Sequence, residues 1–500
     1  MPAYADSILL DVLISPWLSA YDSTIFVSGL TLDSRQIGGG DLFVALQGTE
    51  HDGRRFIAQT IKMGACAVLS ETKNRSEHGN VRLVSSVPVF DVYELPNIIS
   101  ALAYRFFFRQ RSLHKVIAVT GTNGKTTIAS LLANCFSLLG KQSAQMGTIG
   151  NGLFGQLKSS LNTTLDAISV FSELHSYQQQ GAEYTIMEVS SHALVQGRVS
   201  ALPFLSAIFT NLTRDHLDYH GSMAQYASAK KMLFENYPLK QRIINADDPT
   251  GAQWLADFPD AISYGFKADI LTEKQSYLRI TEVDYHAQGV AFSFRSSWGE
   301  GRLSAPFYGH FNVANLAAVL TQLLAENISI KQLQKIFPKL NTVPGRMEQY
   351  HFAQHNITFV VDYAHTPDAL ENALLALQEH KSAGRLICVF GCGGDRDQGK
   401  RPEMANIAER YAQQVVLVDD NPRTESALTI VDDILQGFAH PEQVEVIHDR
   451  SQAVHFLLNS AQSGDMVLLA GKGHEDYQIF GKERVYYSDR ALLAALQNAS

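Results

Sequence analysis

Cysteine is scarce in this chain. Four occur in 500 residues, Cys66, Cys135, Cys388 and Cys392, too few and too scattered for a disulfide framework. Cys388 and Cys392 could suggest a metal pair, but Cys388 lies in an apolar run and Cys392 among glycines, so packing and turn roles are expected. A basic surplus is also missing. Lys and Arg number 41 against 50 Asp and Glu, a net charge of −9, which argues against a general nucleic-acid binder. It says little about small anionic ligands, because local basic residues decide those. No uncharged apolar run reaches about 18 residues, so no transmembrane helix is expected. The start of the chain lacks a basic segment and carries Asp6 and Asp11, so no signal peptide is expected either. A soluble, cytoplasmic protein is the expectation.

What remains is an ordinary globular composition, 45% hydrophobic and 18% charged. Its length suggests about three domains. The segment 1–112 carries Thr31-Leu32-Asp33-Ser34-Arg35, then a Gly-rich loop and the apolar run Leu42-Phe43-Val44-Ala45-Leu46. Ser112-Leu113-His114-Lys115 reads as a linker. From 113 to 343, apolar strand runs alternate with helical patterns, which implies parallel βαβ units with covered sheet faces. Thr342-Val343-Pro344-Gly345-Arg346 marks the next boundary. The segment 344–500 alternates again, with strands predicted at 358–362, 386–390, 414–418 and 466–470. Each ends in polar or Gly-rich residues, where open α/β sheets gather ligands. The predicted fold is α/β throughout.

The most informative stretch is Thr120-Gly121-Thr122-Asn123-Gly124-Lys125-Thr126-Thr127. It follows the apolar run 116–119 and precedes a helical pattern at Ile128. A strand, a Gly-rich turn and a helix N-terminus make an anion cradle, in which backbone N–H groups and the helix dipole favour phosphate. Lys125 would reach the β/γ-phosphates, and Thr126 would offer its hydroxyl to Mg²⁺. The pattern departs from the usual phosphate loop, because position 119 is Val where a Gly would stand.

Other constellations follow predicted strands. Glu188 ends the run 184–188 and reads as a Mg²⁺ ligand or as a capping carboxylate. Ser190 follows it, and Gln196 and Arg198 could grip an anionic substrate. The stretch 211–220 holds two histidines and two aspartates within six residues, which raises His216 as a metal ligand. Lys230 lies in an amphipathic helical pattern, and on spacing alone it reads as solvated surface. Arg346 could stabilise charge on a transferring phosphate, and Asp362 and His365 suit ribose or phosphate contacts. The loops bearing Arg396 and Arg423 offer planar clamps for carboxylates. Asp420 could bind an ammonium, and Gly471 and Glu475 could complete a zwitterionic amino-acid site.

These segments together resemble the ATP-dependent Mur ligases of peptidoglycan synthesis over nearly the whole chain. The matching stretches are 120–126, 187–194, 211–221, 312–315, 344–348, 362–367, 394–401, 420–423 and 471–475. The resemblance implies three α/β domains: 1–112 binding UDP-MurNAc, 113–343 binding ATP, and 344–500, Rossmann-like, binding an amino acid. It implies ATP contacts at Gly121, Thr122, Asn123, Gly124, Lys125, Thr126, Thr127, Asn312, Arg346, Asp362 and His365. It implies catalytic and metal positions at Lys125, Thr126, Glu188, His216 and Lys230, the last carbamylated, with Mg²⁺. Ser34, Thr163, Thr164, Ser190, Gln196 and Arg198 resemble contacts to UDP-MurNAc-L-Ala-D-Glu. Asp420-Asn421-Pro422-Arg423 resembles the motif of the branch that adds meso-diaminopimelate, with Arg396, Gly471 and Glu475 beside it. A monomer is expected. The alternatives weighed are a lysine-adding member, a folylpolyglutamate synthase, a sugar-nucleotide-binding regulator, and a phosphate-loop protein that binds nucleotide without ligating anything.

Overall fold

The computed structural model describes residues 7–19, 21, 24–48, 52–109, 111–160, 162–269, 275–286, 289–380 and 384–499. The chain forms two compact units. The first takes Met1–Thr120, Gly140–Ala207 and His216–Gln241, and the second takes Gly121–Leu139, Ile208–Asp215 and Arg242–Ser500. Both therefore draw on the segment 113–343.

In the first unit, one sheet runs in the order Gly29–Thr31, Asp41–Ala45, Ala67–Thr72, Val87–Tyr93, Val81–Val84. The first four strands are parallel and the last is antiparallel. Phe43, Val44, Val68, Leu69 and Phe90 are buried, as continuous apolar runs in a sheet covered on both faces should be. A second strand run orders Gly150–Leu153, Ser143–Gly147, Tyr184–Glu188 and Lys115–Thr120. The last three are parallel.

Aromatic packing explains why the N-terminal segment groups with part of the next one. Helix Leu95–Phe108 lays Phe108 against Phe171 and His175 of helix Ala167–Gln179. Tyr104 stacks on the same side, against Phe108 and Phe171. The predicted linker is also anchored. His114 meets Thr185 Oγ1 at 2.6 Å through Nε2, and its backbone N–H donates to Gln178 at 3.2 Å. Lys115 already opens the strand.

In the second unit, Gln241–Asn245, Ile262–Gly265 and Tyr277–His286 are parallel, and Gly289–Ser296 and Gly299–Ala305 continue antiparallel. A six-stranded sheet follows, in the order Glu348–Phe352, Ile357–Asp362, Met466–Ala470, Leu386–Phe390, Gln414–Leu417, Glu445–Val446. All but the first pairing are parallel. The strand period of two sorts its core. Val360, Cys388, Phe390, Leu417 and Leu468 pack on one face with helices Pro367–His380, Lys400–Tyr411 and Ala427–Leu435. Phe359, Val361, Ile387, Val389, Val416 and Leu469 pack on the other with Arg450–Ser460 and Asp489–Ala499. Cys388 is a core residue, and Cys392 Sγ lies 3.8 Å from Met404 Sδ, so both cysteines pack as expected. The loops after Asp362, Phe390, Leu417 and Ala470 all leave the C-terminal ends of parallel strands. Among the described residues no helix is long and apolar enough to cross a membrane.

Beneath that edge Arg450 and Asp489 form a wholly buried ion pair at 2.7 Å, and Arg450 also donates to the Ala470 carbonyl at 3.2 Å. Tyr487 O–H donates to the same aspartate at 2.6 Å. Removing the guanidinium strands a buried carboxylate. Arg450→Met is expected to cost about 3–5 kcal/mol, read as a lower midpoint in guanidinium unfolding. An unchanged midpoint would refute the assignment of this pair to the core.

Candidate functional site

The anion cradle forms in the second unit. Helix Lys125–Leu138 begins at Lys125, and Gly121 and Gly124 before it have φ of 149° and 86°. Both need glycine. A Cβ on Gly121 would overlap Thr210 Oγ1, and one on Gly124 would lie 2.6 Å from Asn315 Oδ1. The loop is pinned from the chain 210–211. Thr122 N donates to Asn211 O at 2.9 Å, Asn123 N donates to Asn211 Oδ1 at 2.9 Å, and Thr210 Oγ1 donates to Asn123 O at 2.6 Å. Lys125 Nζ folds back onto the carbonyls of Gly121 and Thr122, at 2.9 and 2.8 Å. Thr126 and Thr127 are buried in the first helical turn. Asn312 is buried one layer behind: its Oδ1 accepts from Asn315 Nδ2 at 3.2 Å, and Asn315 borders Gly124.

The same unit gathers Arg346, Asp362 and His365. Asp362 accepts from Met347 N and Ala364 N, at 2.8 and 2.9 Å. Burial raises its carboxyl, against the pull of Arg346. The Arg346 guanidinium lies 4.5 Å from the Tyr363 ring. His365 holds the Tyr363 carbonyl at 2.8 Å through Nδ1, and its own carbonyl accepts from Lys400 Nζ at 2.8 Å. Burial, with Lys400 beside it, lowers its imidazole. The Gly345 turn presses on the Gly473–His474 backbone so closely that a Cβ there would overlap it.

Around the next loops, Arg423 adopts φ 55° and donates from Nη1 to the Gly394 carbonyl at 2.8 Å. Its backbone N–H donates to Ile479 and its carbonyl accepts from Gly481, so the hairpin of strands Tyr477–Phe480 and Glu483–Tyr486 holds it. Arg396 is exposed, with Nη1 on its neighbour's carbonyl, Asp395 O, at 3.3 Å. The Pro422 carbonyl accepts from Glu425 N. Lys472, which the sequence reading did not single out, is fully buried. Its Nζ lies 2.9 Å from Asp420 Oδ1, 2.8 Å from Asn421 Oδ1 and 3.1 Å from Glu475 Oε2. A Cβ on Gly471, at φ 107°, would lie 3.9 Å from the Asp420 carboxylate.

In the first unit Glu188 is fully buried at its strand end. Its carboxylate accepts from Thr148 N at 2.8 Å and Thr148 Oγ1 at 3.1 Å. Gly147 must be glycine, because a Cβ would overlap that carboxylate. Thr163 meets Thr148 hydroxyl to hydroxyl at 3.2 Å. Thr164 Oγ1 donates to the Glu188 carbonyl at 2.9 Å and accepts from Ser190 N at 3.1 Å. Arg198 donates to the Thr164 carbonyl at 2.7 Å and, from two nitrogens, to Gln196 Oε1. Five of the substrate-contact candidates, all but Ser34, thus meet at one strand end. Ser34 stands apart in the turn stapled by the Asp33–Arg35 ion pair.

His216 takes a left-handed φ of 54° and faces His192, ring centroids 5.1 Å apart. Lys230 corrects the spacing argument. It is 1% exposed, with Nζ 4.5 Å from the Tyr226 ring, and that ring also neighbours His216 at 6.2 Å. A solvated surface lysine does not sit there. Among the described residues no group of three or more His, Cys, Asp or Glu is placed to hold a metal. Mg²⁺ does not demand one, since it keeps waters and uses one or two carboxylates with substrate phosphates. Glu188, a buried carboxylate at a strand end, is an oxygen donor that fits that chemistry.

Comparison with known proteins now defines the class. Three family models match in order: "Mur ligase family, catalytic domain" over 26–106, "Mur ligase middle domain" over 119–323, and "Mur ligase, glutamate ligase domain" over 345–473. The chain belongs to the Mur ligase family and has its mixed α/β, three-domain fold with parallel sheets. It is 48% identical over 468 residues to the UDP-N-acetylmuramoyl-L-alanyl-D-glutamate--2,6-diaminopimelate ligase of Haemophilus influenzae Rd, covering 94% of this chain and 96% of that protein. A solved structure of an enzyme of that name is 36% identical, with TM-score 0.72 and 99% of each chain covered. MurF from Acinetobacter baumannii shares the fold at 18% identity and TM-score 0.68, over 99% of each chain.

Proposed function

We propose that this chain joins meso-2,6-diaminopimelate to UDP-MurNAc-L-Ala-D-Glu with ATP, as a cytoplasmic, monomeric enzyme of peptidoglycan precursor synthesis. The names of its relatives support this, and one observation carries the choice of amino acid. Arg423 is fixed by the Gly394 carbonyl of the neighbouring loop, and Asp420, on the loop of Arg423, pairs with Lys472, which also pairs with Glu475. Together they offer a carboxylate binder and an ammonium binder, as the far end of diaminopimelate requires.

In this reading 1–112 binds the UDP-sugar through Ser34. The segment 113–343 binds ATP and the dipeptide end, and 344–500 takes the amino acid. The substrate's γ-carboxylate oxygen bonds to the γ-phosphorus of ATP as the bond to ADP breaks. The amine nitrogen then bonds to the acyl carbon, phosphate leaves, and the amine gives up a proton. A free carboxylate is a poor acylating agent, and phosphorylation supplies the leaving group. Lys125 and the loop N–H groups hold the nucleotide phosphates, with Thr127, Asn312, Arg346, Asp362 and His365 completing the ATP contacts. Thr163, Thr164, Ser190, Gln196 and Arg198 orient the dipeptide. Mg²⁺, with Thr126, Glu188, His216 and Lys230 as candidate positions, would neutralise charge between the two anionic reactants. Carbamylation of the buried Lys230 would turn its ammonium into an oxygen donor.

The test is phosphate release from ATP with the UDP-dipeptide, offering meso-diaminopimelate or L-lysine. Release with meso-diaminopimelate alone is expected, and release with lysine instead would overturn the specificity. Arg423→Ala is expected to raise the KM for diaminopimelate about 100-fold, the loss of about 2.7 kcal/mol from one desolvated charge pair. A KM unchanged within threefold would remove Arg423 from the site.

A further inference from the structure

Lys472 has no exposed surface and three acceptors around its ammonium: Asp420, Asn421 and Glu475. An ammonium has three donors, so nothing is left over to grip a phosphate or a substrate. The run Gly471-Lys472-Gly473 therefore differs in role from Gly124-Lys125, despite the shared Gly-Lys pair. Asn421 is held in the same knot. Its Oδ1 also accepts from Ile479 N at 3.0 Å, and its Nδ2 donates to Glu475 at 3.3 Å. The two residues tie together the loop 420–423, the loop 471–475 and the strand Tyr477–Phe480.

Arg423, which meets the Gly394 and Asn421 carbonyls, is assigned to the ligand's carboxylate; the other charges around this knot are matched one to one, with a single exception. Arg450 is balanced by Asp489. Lys472 faces two carboxylates, Asp420 and Glu475, so one negative charge remains. Asp420 Oδ1 is buried against the ammonium at 2.9 Å, and that ammonium is its partner.

We propose that Lys472 is a positioning residue, which fixes the Asp420 and Glu475 carboxylates and leaves them one net negative charge to receive the single far-end ammonium of the amino acid. This rests on the amino-acid reading given above. The electrostatics agree. Burial alone would raise the Asp420 carboxyl, but Lys472 and then Arg450 pull it below its ordinary value, with His365 also facing it. Glu475 additionally meets the Tyr477 hydroxyl at 3.5 Å. Without Lys472 the largest pull against burial is gone, so the Asp420 carboxyl rises from where Lys472 holds it. Protonation on acidification would then remove the ammonium's partner, so diaminopimelate binding would weaken as pH falls.

The experiment is steady-state kinetics of wild type and Lys472→Met, with each substrate varied from about pH 8.5 to about pH 6. Ligation by wild type with meso-diaminopimelate comes first, and its failure would sink the amino-acid reading rather than this one. For K472M the KM for diaminopimelate is expected to rise at least about tenfold at the alkaline end and further towards the acid end. The KM for ATP should stay within about twofold and kcat within about threefold. A diaminopimelate KM equal to wild type at every pH would overturn the proposal. So would an equal loss for all three substrates, the mark of general structural damage. If K472M does not fold, the double variant K472M/E475Q removes one carboxylate with the cation. Compared with E475Q alone it should show the added acid-side rise in KM, and its absence would overturn the proposal.

Discussion

Lys125→Ala is expected to lower ATP-dependent phosphate release about a thousandfold. The cradle around Lys125 has anchors besides its ammonium. Thr122 and Asn123 are fastened to Asn211, and Gly124 is seated against Asn315. Removing the side chain should leave the loop in place and take away only the ammonium, now held on two loop carbonyls. Charge on the transferring phosphoryl group would then lack its nearest cation. Arginine should not restore the rate, because a planar fork cannot fold onto the same two carbonyls as a compact ammonium does. The measurement is single-turnover phosphate release with the thermal midpoint recorded alongside. A rate within tenfold of wild type in a stable protein would take Lys125 out of the chemistry.

Glu188→Gln should cost a similar factor by a different route. Thr148 donates to both carboxylate oxygens, from its N–H and its hydroxyl. A glutamine keeps the first bond, and the Thr148 hydroxyl can turn to accept from the new amide, so the strand end should stay as it is. What goes is the negative charge. The expected result is a loss of about a thousandfold in turnover at low Mg²⁺, with the Mg²⁺ requirement moved to higher concentration. Activity and Mg²⁺ dependence both at wild-type levels would make Glu188 a capping carboxylate, the other reading its position allowed.

The parts legible in the sequence were those that local rules govern. Val116-Ile117-Ala118-Val119 could only be a strand covered on both faces, and all four are fully buried. Gly121 and Gly124 announced a turn that no other residue can make. The strand ends at Asp362, Phe390, Leu417 and Ala470 could be placed because apolar runs stop there abruptly. What stayed hidden depends on partners distant in sequence. Lys230 looked like surface because helical spacing cannot see the Tyr226 and His216 side of its surroundings. Lys472 looked like one more lysine in a Gly-rich turn, since its three acceptors come from two loops about 50 residues apart. Likewise, nothing near Ser112 shows that Phe108 lies against Phe171.

The contact between Gly345 and Gly473 reaches further than packing. A side chain at Gly345 would overlap the Gly473–His474 backbone, and one at Gly473 would crowd Tyr363 Cβ at 2.6 Å and Gly345 O at 2.9 Å. The Arg346 guanidinium rests on that same Tyr363 ring. The turn that carries the arginine and the loop that carries Glu475 are thus two surfaces of a single joint, with no room for a spacer. A side chain added at either glycine would therefore disturb the arginine's turn and the Glu475 loop together.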